Sequence, residues 1–349
     1  MNDNKTSKNS IVAKFAVPIS FLILFFLAAN FTDCDLVTFW KRRNHLTDLV
    51  VDMIPPDFSY IQKILLPLFY TIQMSVTGTV LGTFFALVLS PFGAANLGFP
   101  AVIRRILRIV IQILRSFPAL ILALTATFLF GLGTFAGTFA ITLYTFAIMT
   151  KLTYEDASAA DVKAYQALRA MGVSKYVAYI HGILPEIIPG FLTNALYLLE
   201  TNVRHSSILG YVGAGGIGLL LNEKISWLEY DKVGTILLML FLTVCVIEYF
   251  SRYLAALIRK ERTIKKEQAR LLLLFLAALF LICTFTLSLP DFSRTSPQTL
   301  RNMFAGFLQP DWSFFFSAEK DGLGYLLLET VCIAFIGTVI GAIVSAPLA

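Results

Sequence analysis

The stretch GYVGAGGIGLLL, Gly210 to Leu221, decides between two folds. Gly213, Gly215 and Gly218 stand at the G-x-G-x-x-G spacing of a dinucleotide-binding turn. Such a turn needs a strand before it and a helix opening from it, inside a βαβ unit of about 30 residues with an acid about 20 positions on. Here the preceding run FLTNALYLL, Phe191 to Leu199, belongs to a long apolar segment. The following NEKISWLEYDKVG, Asn222 to Gly234, supplies Glu223 and Glu229 but no alternating Val/Ile-rich strand before the next apolar run. The glycines therefore join two apolar helices, where residues without side chains let the backbone turn sharply and neighbouring helices approach closely. That makes Gly213, Gly215, Gly216 and Gly218 candidates for an outer turn or gate.

Composition points the same way. Hydrophobic residues make up 57% of the chain and charged residues 14%, with mean hydropathy +0.75, whereas a soluble domain carries about 25% charged residues. Apolar runs approach or exceed the ~20 residues that cross a bilayer as a helix. They are Phe15–Phe31, Ile64–Phe92, Ile106–Phe130, Phe135–Leu152, Ile187–Ser207, Val233–Ile258, Leu271–Leu289 and Leu323–Ala349. The expected class is an all-α polytopic membrane protein with about eight spans. The first run follows a charged start as a secretory signal would, but no small-residue cleavage site closes it, so it reads as a retained span.

The net charge of +6 is largely positional. Arg104, Arg105 and Arg108 form one cluster and RKERTIKKEQAR, Arg259 to Arg270, another. With both loops in the cytoplasm the positive-inside rule is met, and Lys151–Pro185 and the N-terminus fall on the same side. Lys41, Arg42 and Arg43 are the exception, in a loop placed outside. This distribution calls for membrane lipid as a partner and not for nucleic acid. Cys34, Cys245, Cys283 and Cys332 are far apart with no C-x-x-C, which predicts neither a metal site nor a disulfide framework. Three histidines, His45, His181 and His205, are not spaced for a metal. The chain has no G-x-x-x-x-G-K-[ST], H-E-x-x-H or G-x-S-x-G, so ATP hydrolysis, zinc chemistry and a serine nucleophile have no motif, and no cofactor is expected.

The chain also repeats itself. LTDLVVDMIPPDFS, Leu46 to Ser59, has a counterpart in LRNMFAGFLQPDWS, Leu300 to Ser313, and TIQMSVTGTVLG, Thr71 to Gly82, in TVCIAFIGTVIG, Thr330 to Gly341. Each copy follows an apolar run, and order, spacing and the Pro-Asp-aromatic-Ser signature agree. The expected division is a first unit, 1–260, with six spans, and the start of a second, 261–349, with two, joined by the charged connector.

The polar stretch between the fourth and fifth runs, Lys151 to Phe191, is long and regular for an inter-span loop. A helix is expected over Asp161–Arg169, broken at Gly172, with a second helix capped by Ser174 running to Leu184 before Pro185. Within it, QALRAMGVSKYVAYIHGILP resembles the EAA loop of ABC importer permeases. Gln166, Ala167 and Leu168 occupy the E-A-A positions, Gly172 is the loop glycine and Leu184-Pro185 the closing pair. Gln166 replaces the usual glutamate, and Gly182 stands where an aliphatic residue is common.

ALYLLETNVRHSSILGYVGAGGIG, Ala195 to Gly218, narrows the resemblance to the permease subunit of phosphonate-type (PhnE-like) importers, with E-x-N-x-R followed by the glycine run. RSFPAL at Arg115 and GLGTFAGTFA at Gly131 are similar to that family as well. The resemblance implies a type I permease bundle without catalytic activity of its own. It also implies a cytoplasmic ATPase subunit docked on the EAA-like loop, an extracytoplasmic binding protein, and a second permease unit, fused or in a homodimer. The substrate it implies is a phosphonate or related phosphorus oxyanion, carried across the cytoplasmic membrane. Methionine-type and osmoprotectant-type permeases share a similar glycine run, and a membrane signalling or assembly protein or a membrane enzyme are the readings from other classes.

Charges inside spans are costly and mark function by default. Arg115, Glu200, Arg204 and Glu248 qualify. Glu200 and Arg204 share a helical face, so they either line a substrate path or neutralise each other.

Overall fold

The computed structural model describes residues 20–34, 36–259, 266–288, 301–302, 305–306, 309, 312–317 and 322–348, and its regular elements are all helical. Parts of the first apolar run, of the connector Arg259–Arg270 and of the repeat copy Leu300–Ser313 lie outside the described residues. The helices are α1 (Ser20–Phe31), α2 (Leu36–Lys41), α3 (Arg43–Asp52), α4 (Ile61–Gly93), α5 (Ala101–Ser116), α6 (Ala119–Phe130), α7 (Thr134–Ala159) and α8 (Lys163–Ala170). After them come α9 (Lys175–Gly182), α10 (Leu184–Leu209), α11 (Ile217–Ser226), α12 (Tyr230–Ile258), α13 (Lys266–Phe285), a short α14 (Trp312–Phe315) and α15 (Leu323–Ser345).

The apolar runs do not all become straight spans. Four helices, α4, α7, α12 and α15, are long and apolar enough to cross a membrane on their own. Two helix pairs, α5 with α6, bent by 94°, and α9 with α10, bent by 70°, add a crossing each where the pair is one broken span and none where it is a re-entrant loop. The run Ile106–Phe130 is thus not one continuous span. Pro118 has no N–H and drives Phe117 out of the helical region, to φ −84 and ψ 125, so α5 stops at Ser116 and α6 restarts after Pro118. Among the described residues, α1 and the apolar part of α13, Leu274–Phe285, are shorter than a bilayer core requires. Of the eight expected spans, four to six are present among the described residues by this measure.

The chain divides into two units, Met1–Val50 with Arg301–Ala349, and Val51–Leu300. In the first, α1 runs antiparallel to α15, with the Phe21 ring 5.1 Å from Phe335 and the Phe31 ring 4.8 Å from Tyr325.

In the second unit, α4 is the central post. Gly78 and Gly82 bring α7 so close that a Cβ at Gly82 would stand 2.7 Å from the Thr142 carbonyl oxygen. Thr71, Ser75, Thr79 and Thr83, one turn apart, donate to the carbonyls of Pro67, Thr71, Ser75 and Thr79 at 2.6–3.0 Å. A hydroxyl satisfied on its own helix still has a lone pair for a neighbour. The stripe uses it: Asn202 Nδ2 on α10 donates to Thr79 Oγ1 and to Thr145 Oγ1 of α7, each at 2.8 Å. One buried amide therefore ties three spans together. Ser75 and Ser206 Oγ meet at 3.0 Å, and the Ile217 N–H donates to Thr71 Oγ1 at 2.8 Å, carrying the seam to the start of α11. On the far side of α4, Gln73 Nε2 donates to the Cys283 carbonyl and to Thr286 Oγ1, fastening α13.

Candidate functional site

At one end of the second unit, α8 and α9 form a helix-glycine-helix hairpin. Gly172 takes φ +85 between them, and its N–H donates to the Arg169 carbonyl at 3.1 Å. Ser174 caps α9 by accepting from the Val177 N–H. Asp161 accepts from the Lys163 N–H ahead of α8, and that bond holds its carboxyl below the usual carboxylate range. The hairpin begins and ends slightly inside its expected limits. α9 stops at Gly182, and Leu184 and Pro185 open α10 instead of closing α9. Proline is tolerated in a first helical turn, where its missing N–H has no partner to lose.

Gly182, odd from the sequence, has a packing reason. A Cβ there would stand 2.8 Å from the Tyr165 nitrogen, so the backbones of α8 and α9 touch at that point. The hairpin is seated, not floating: Tyr165 Oη donates to the Leu97 carbonyl at 2.6 Å, Lys175 Nζ donates to the Gly98 carbonyl, and Tyr165, Ala178, Tyr179, Ile183 and Ile187 share a core with Ala94, Leu97 and Ala157. Leu168 packs against that core, while Gln166, Ala167 and Pro185 are exposed. Met171, Val177 and Ile180 present apolar side chains outward, which the motif reading missed.

A second group lies along the spans. Arg204 donates to Glu200 on the same face of α10, with Glu200 13% and Arg204 51% exposed. Next to them the His205 ring is 5.4 Å from Tyr144 on α7, and Tyr144 is within electrostatic reach of Tyr197 and Arg115. Tyr144 thus has Arg115, Tyr197 and His205 in its surroundings. Arg115 is not in mid-span: it sits exposed in the last turn of α5 at the break, in line with Arg104 and Arg108. Arg108 donates to the Gly93 carbonyl at 3.0 Å and stacks over the Tyr154 ring. Val102, Ile106, Ile109 and Ile113 form the opposite, exposed aliphatic face of α5.

Asn202, between Glu200 and Arg204, went unremarked as an individual residue in the sequence reading. Its signal was the middle position of E-x-N-x-R, but its partners lie 57 and 123 residues away.

At the opposite end, the glycine run folds α11 back onto α10. Gly213, Gly215 and Gly216 take φ +82, +78 and +75. Gly218 lies against the Ser207 carbonyl so tightly that a Cβ would be 1.8 Å from its oxygen. The Gly133 N–H donates to the Gly213 carbonyl, joining this turn to the start of α7. A cavity of about 370 Å3 opens beside it, lined by Pro67, Tyr70, Thr134, Gly215, Gly216 and Glu223. Just beyond, Lys224 Nζ bridges Glu223 and Glu229 at 3.0 and 2.9 Å under the Trp227 ring, and the bond to Glu229 raises its pKa.

This order of parts, a broken pair, a hairpin seated on the ends of α4 and α7, and a glycine turn at the far end, has known counterparts. Residues 78–264 match the profile of the family described as binding-protein-dependent transport system inner membrane component. The chain belongs to that family. Over 217 residues this permease is 31% identical to the phosphite transport system permease protein PtxC of Stutzerimonas stutzeri, covering 62% of this chain and 79% of the relative. It is 31% identical over 203 residues to the phosphate-import permease protein PhnE of Mycolicibacterium smegmatis, covering 58% of this chain and 38% of that protein. Among solved structures it is similar to the MetNI methionine ABC transporter in inward-facing conformations, at 20% identity and TM-score 0.51, over 58% of this chain and 99% of that one. At that identity the likeness shows the fold, a multi-pass ABC importer permease bundle.

Proposed function

We propose that this permease carries phosphite, a phosphonate or a related phosphorus oxyanion across the cytoplasmic membrane, driven by a separate ATPase subunit and supplied by an extracytoplasmic binding protein. The observation that carries the reading is the similarity to permeases of phosphorus oxyanions. The α8–α9 hairpin, with Gln166, Ala167, Leu168 and Gly172, receives the ATPase through exposed Met171, Val177 and Ile180, and the Leu184-Pro185 start of α10 passes the motion into the span. That end is cytoplasmic, as is the N-terminus, and the glycine turn faces the binding protein. Membrane lipid covers the aliphatic face of α5.

Residues 1–260 act as one permease unit, and 261–349 belong to a second. The internal repeat supports this, as does a relative of which the match covers 38%. The second unit around the pathway comes from a fused copy or from another chain.

The test is uptake in cells carrying this permease with its ATPase and binding protein and no other route for these solutes. Phosphite or a phosphonate is expected to enter, and methionine and glycine betaine to be excluded. Uptake of methionine or betaine with no phosphorus oxyanion would overturn the reading.

Arg115→Ala and Arg204→Ala are each expected to lower that uptake about tenfold, since a hydrogen bond to a charged group contributes on the order of 1.5–3 kcal/mol. Arg204→Ala also strands the carboxylate of Glu200 inside a span. Adding Glu200→Gln should therefore restore membrane abundance but not uptake. Full recovery of uptake by the double variant would reduce the pair to helix packing.

A further inference from the structure

Helix α15 repeats part of the sequence of α4 but none of its packing. TVCIAFIGTVIG, Thr330 to Gly341, aligns with TIQMSVTGTVLG, Thr71 to Gly82, and the two share five residues. Four of the five, Thr71, Gly78, Thr79 and Gly82, are places where α4 receives the rest of its unit. Gly78 and Gly82 seat α7: a Cβ at Gly78 would stand 2.7 Å from Ile141 Cγ2, and one at Gly82 2.7 Å from Thr145 Cβ. Thr79 Oγ1 accepts from Asn202 of α10, and Thr71 Oγ1 from the Ile217 N–H at the head of α11, each at 2.8 Å. Two other polar positions of α4 are not kept. Gln73, which fastens α13, is matched by Cys332, and Ser75 by Ala334.

The four retained positions are buried on α4 and exposed on α15. Nothing lies within 4 Å of a Cβ at Gly337 or Gly341. Thr330 and Thr338 return their O–H to the carbonyls of Leu326 and Ala334 at 2.7 Å, as Thr71 and Thr79 do to Pro67 and Ser75. Among the described residues no donor takes the second lone pair of either oxygen, the one that Asn202 and Ile217 use on α4. At about 100° per residue the four positions share one face of α15. Helix α1 packs elsewhere, since Phe335, which meets Phe21, stands about 200° around the helix from Gly337.

Three covers for this face can be compared. Acyl chains would leave the lone pairs unused and the glycine notch without the close backbone contact that small residues permit. Another copy's α7 is already taken, because its Ile141 and Thr145 are pressed on Gly78 and Gly82. Another copy's α15 would use the G-x-x-x-G spacing, but the same spacing in α4 seats a different helix. We infer that the Gly337–Gly341 face of α15 seats a helix that repeats α7 within the second permease unit, and that Thr338 accepts from a side-chain donor on a helix that repeats α10. The inference rests on the division into two units in the proposed function, and it adds the surface and register by which the second unit is built.

The test uses the assembled transporter in its own membrane. In a cysteine-free background, Ala334→Cys carries a benzophenone maleimide, and the peptides joined to it on illumination are sequenced. The expected adduct is a helix with small residues and threonines at the spacing of Thr138, Thr142 and Thr145, lying outside residues 134–159. Adducts confined to lipid, to Thr134–Ala159 of another copy or to Leu323–Ser345 of another copy would each overturn the inference. Gly341→Leu should lower uptake about tenfold or more by forcing the two backbones apart. Ile343→Phe, which adds bulk on the other side of α15, should stay within about twofold of the parent. Thr338→Val should lose about fivefold through the missing acceptor, and Thr338→Ser should recover it. Parental uptake by Gly341→Leu at parental abundance would also overturn the inference. A parent that imports no phosphorus oxyanion refutes the proposed substrate, whereas the adducts form without transport and decide the docking face on their own.

Discussion

Gly218→Ala is expected to strip folded permease from the membrane. The added Cβ would lie 1.8 Å from the Ser207 carbonyl oxygen and 3.0 Å from the Gly210 Cα, and both are backbone atoms that no rotamer can move. The first turn of α11 must lift from the end of α10, breaking the bond from the Ile217 N–H to Thr71 Oγ1 at 2.8 Å. Forcing a methyl into a packed interior costs about 1–3 kcal/mol where neighbours can shift and more where they cannot. Gly210→Ala meets the same wall from the other side, with its Cβ 2.4 Å from the Leu219 nitrogen. Gly190, inside α10, has nothing within 4 Å of its Cβ. Gly190→Ala should match the parent or exceed it by up to about 1 kcal/mol, since alanine loses less entropy than glycine in a helix. The measurement is monodisperse protein recovered by size exclusion, with thermal unfolding of what remains. Parental yield and Tm for Gly218→Ala would mean that the glycine run is free to open and is not a packed turn.

Gly172→Pro is expected to abolish coupled transport while leaving insertion intact. Gly172 holds φ +85, and proline is locked near −65. Its N–H, which donates to the Arg169 carbonyl at 3.1 Å, would also be lost. No atom lies within 4 Å of a Cβ at this position, so the penalty is one of backbone conformation and stays local to the hairpin. A strained φ of this kind costs on the order of 1–3 kcal/mol, enough to change the angle between α8 and α9 while the spans remain packed. Uptake should fall to background, and stimulation of the ATPase by loaded binding protein should disappear. Gly172→Asn should keep much of both, because asparagine tolerates the left-handed region. Normal uptake by Gly172→Pro at normal abundance would remove the hairpin from the coupling mechanism.

The two predictions draw on features of unequal visibility in the amino-acid order. The hairpin was legible because its determinants are local: Ser174 as a cap, Gly172 at the break and Pro185 at the turn into the span all act within a few residues. The limits still shifted, because Gly182 meets Tyr165 across the hairpin and α9 ends there. The bend at Ser116–Pro118 was written in the chain as well. It is hidden because Ile106–Phe130 is apolar on average despite Arg108, Gln112 and Arg115, and an average over residues carries no information about direction.

By itself, the amino-acid order determined that the chain is an all-helical membrane protein, that the glycine run is no nucleotide cradle, and that the stretch around Gly172 is a helix-glycine-helix. Each follows from composition or from contacts within one or two helical turns. Only the tertiary structure decided that Asn202 is a buried tie between Thr79 and Thr145, that Gly218 is pressed on Ser207, and that Glu248, Ser251 and Arg252 meet Glu200 across one cavity. The partners of Asn202 and the residues facing across that cavity are separated by roughly 50 to 120 positions. A one-dimensional pattern shows which face of a helix is polar. Which other helix that face meets is set by the packing of all the spans together.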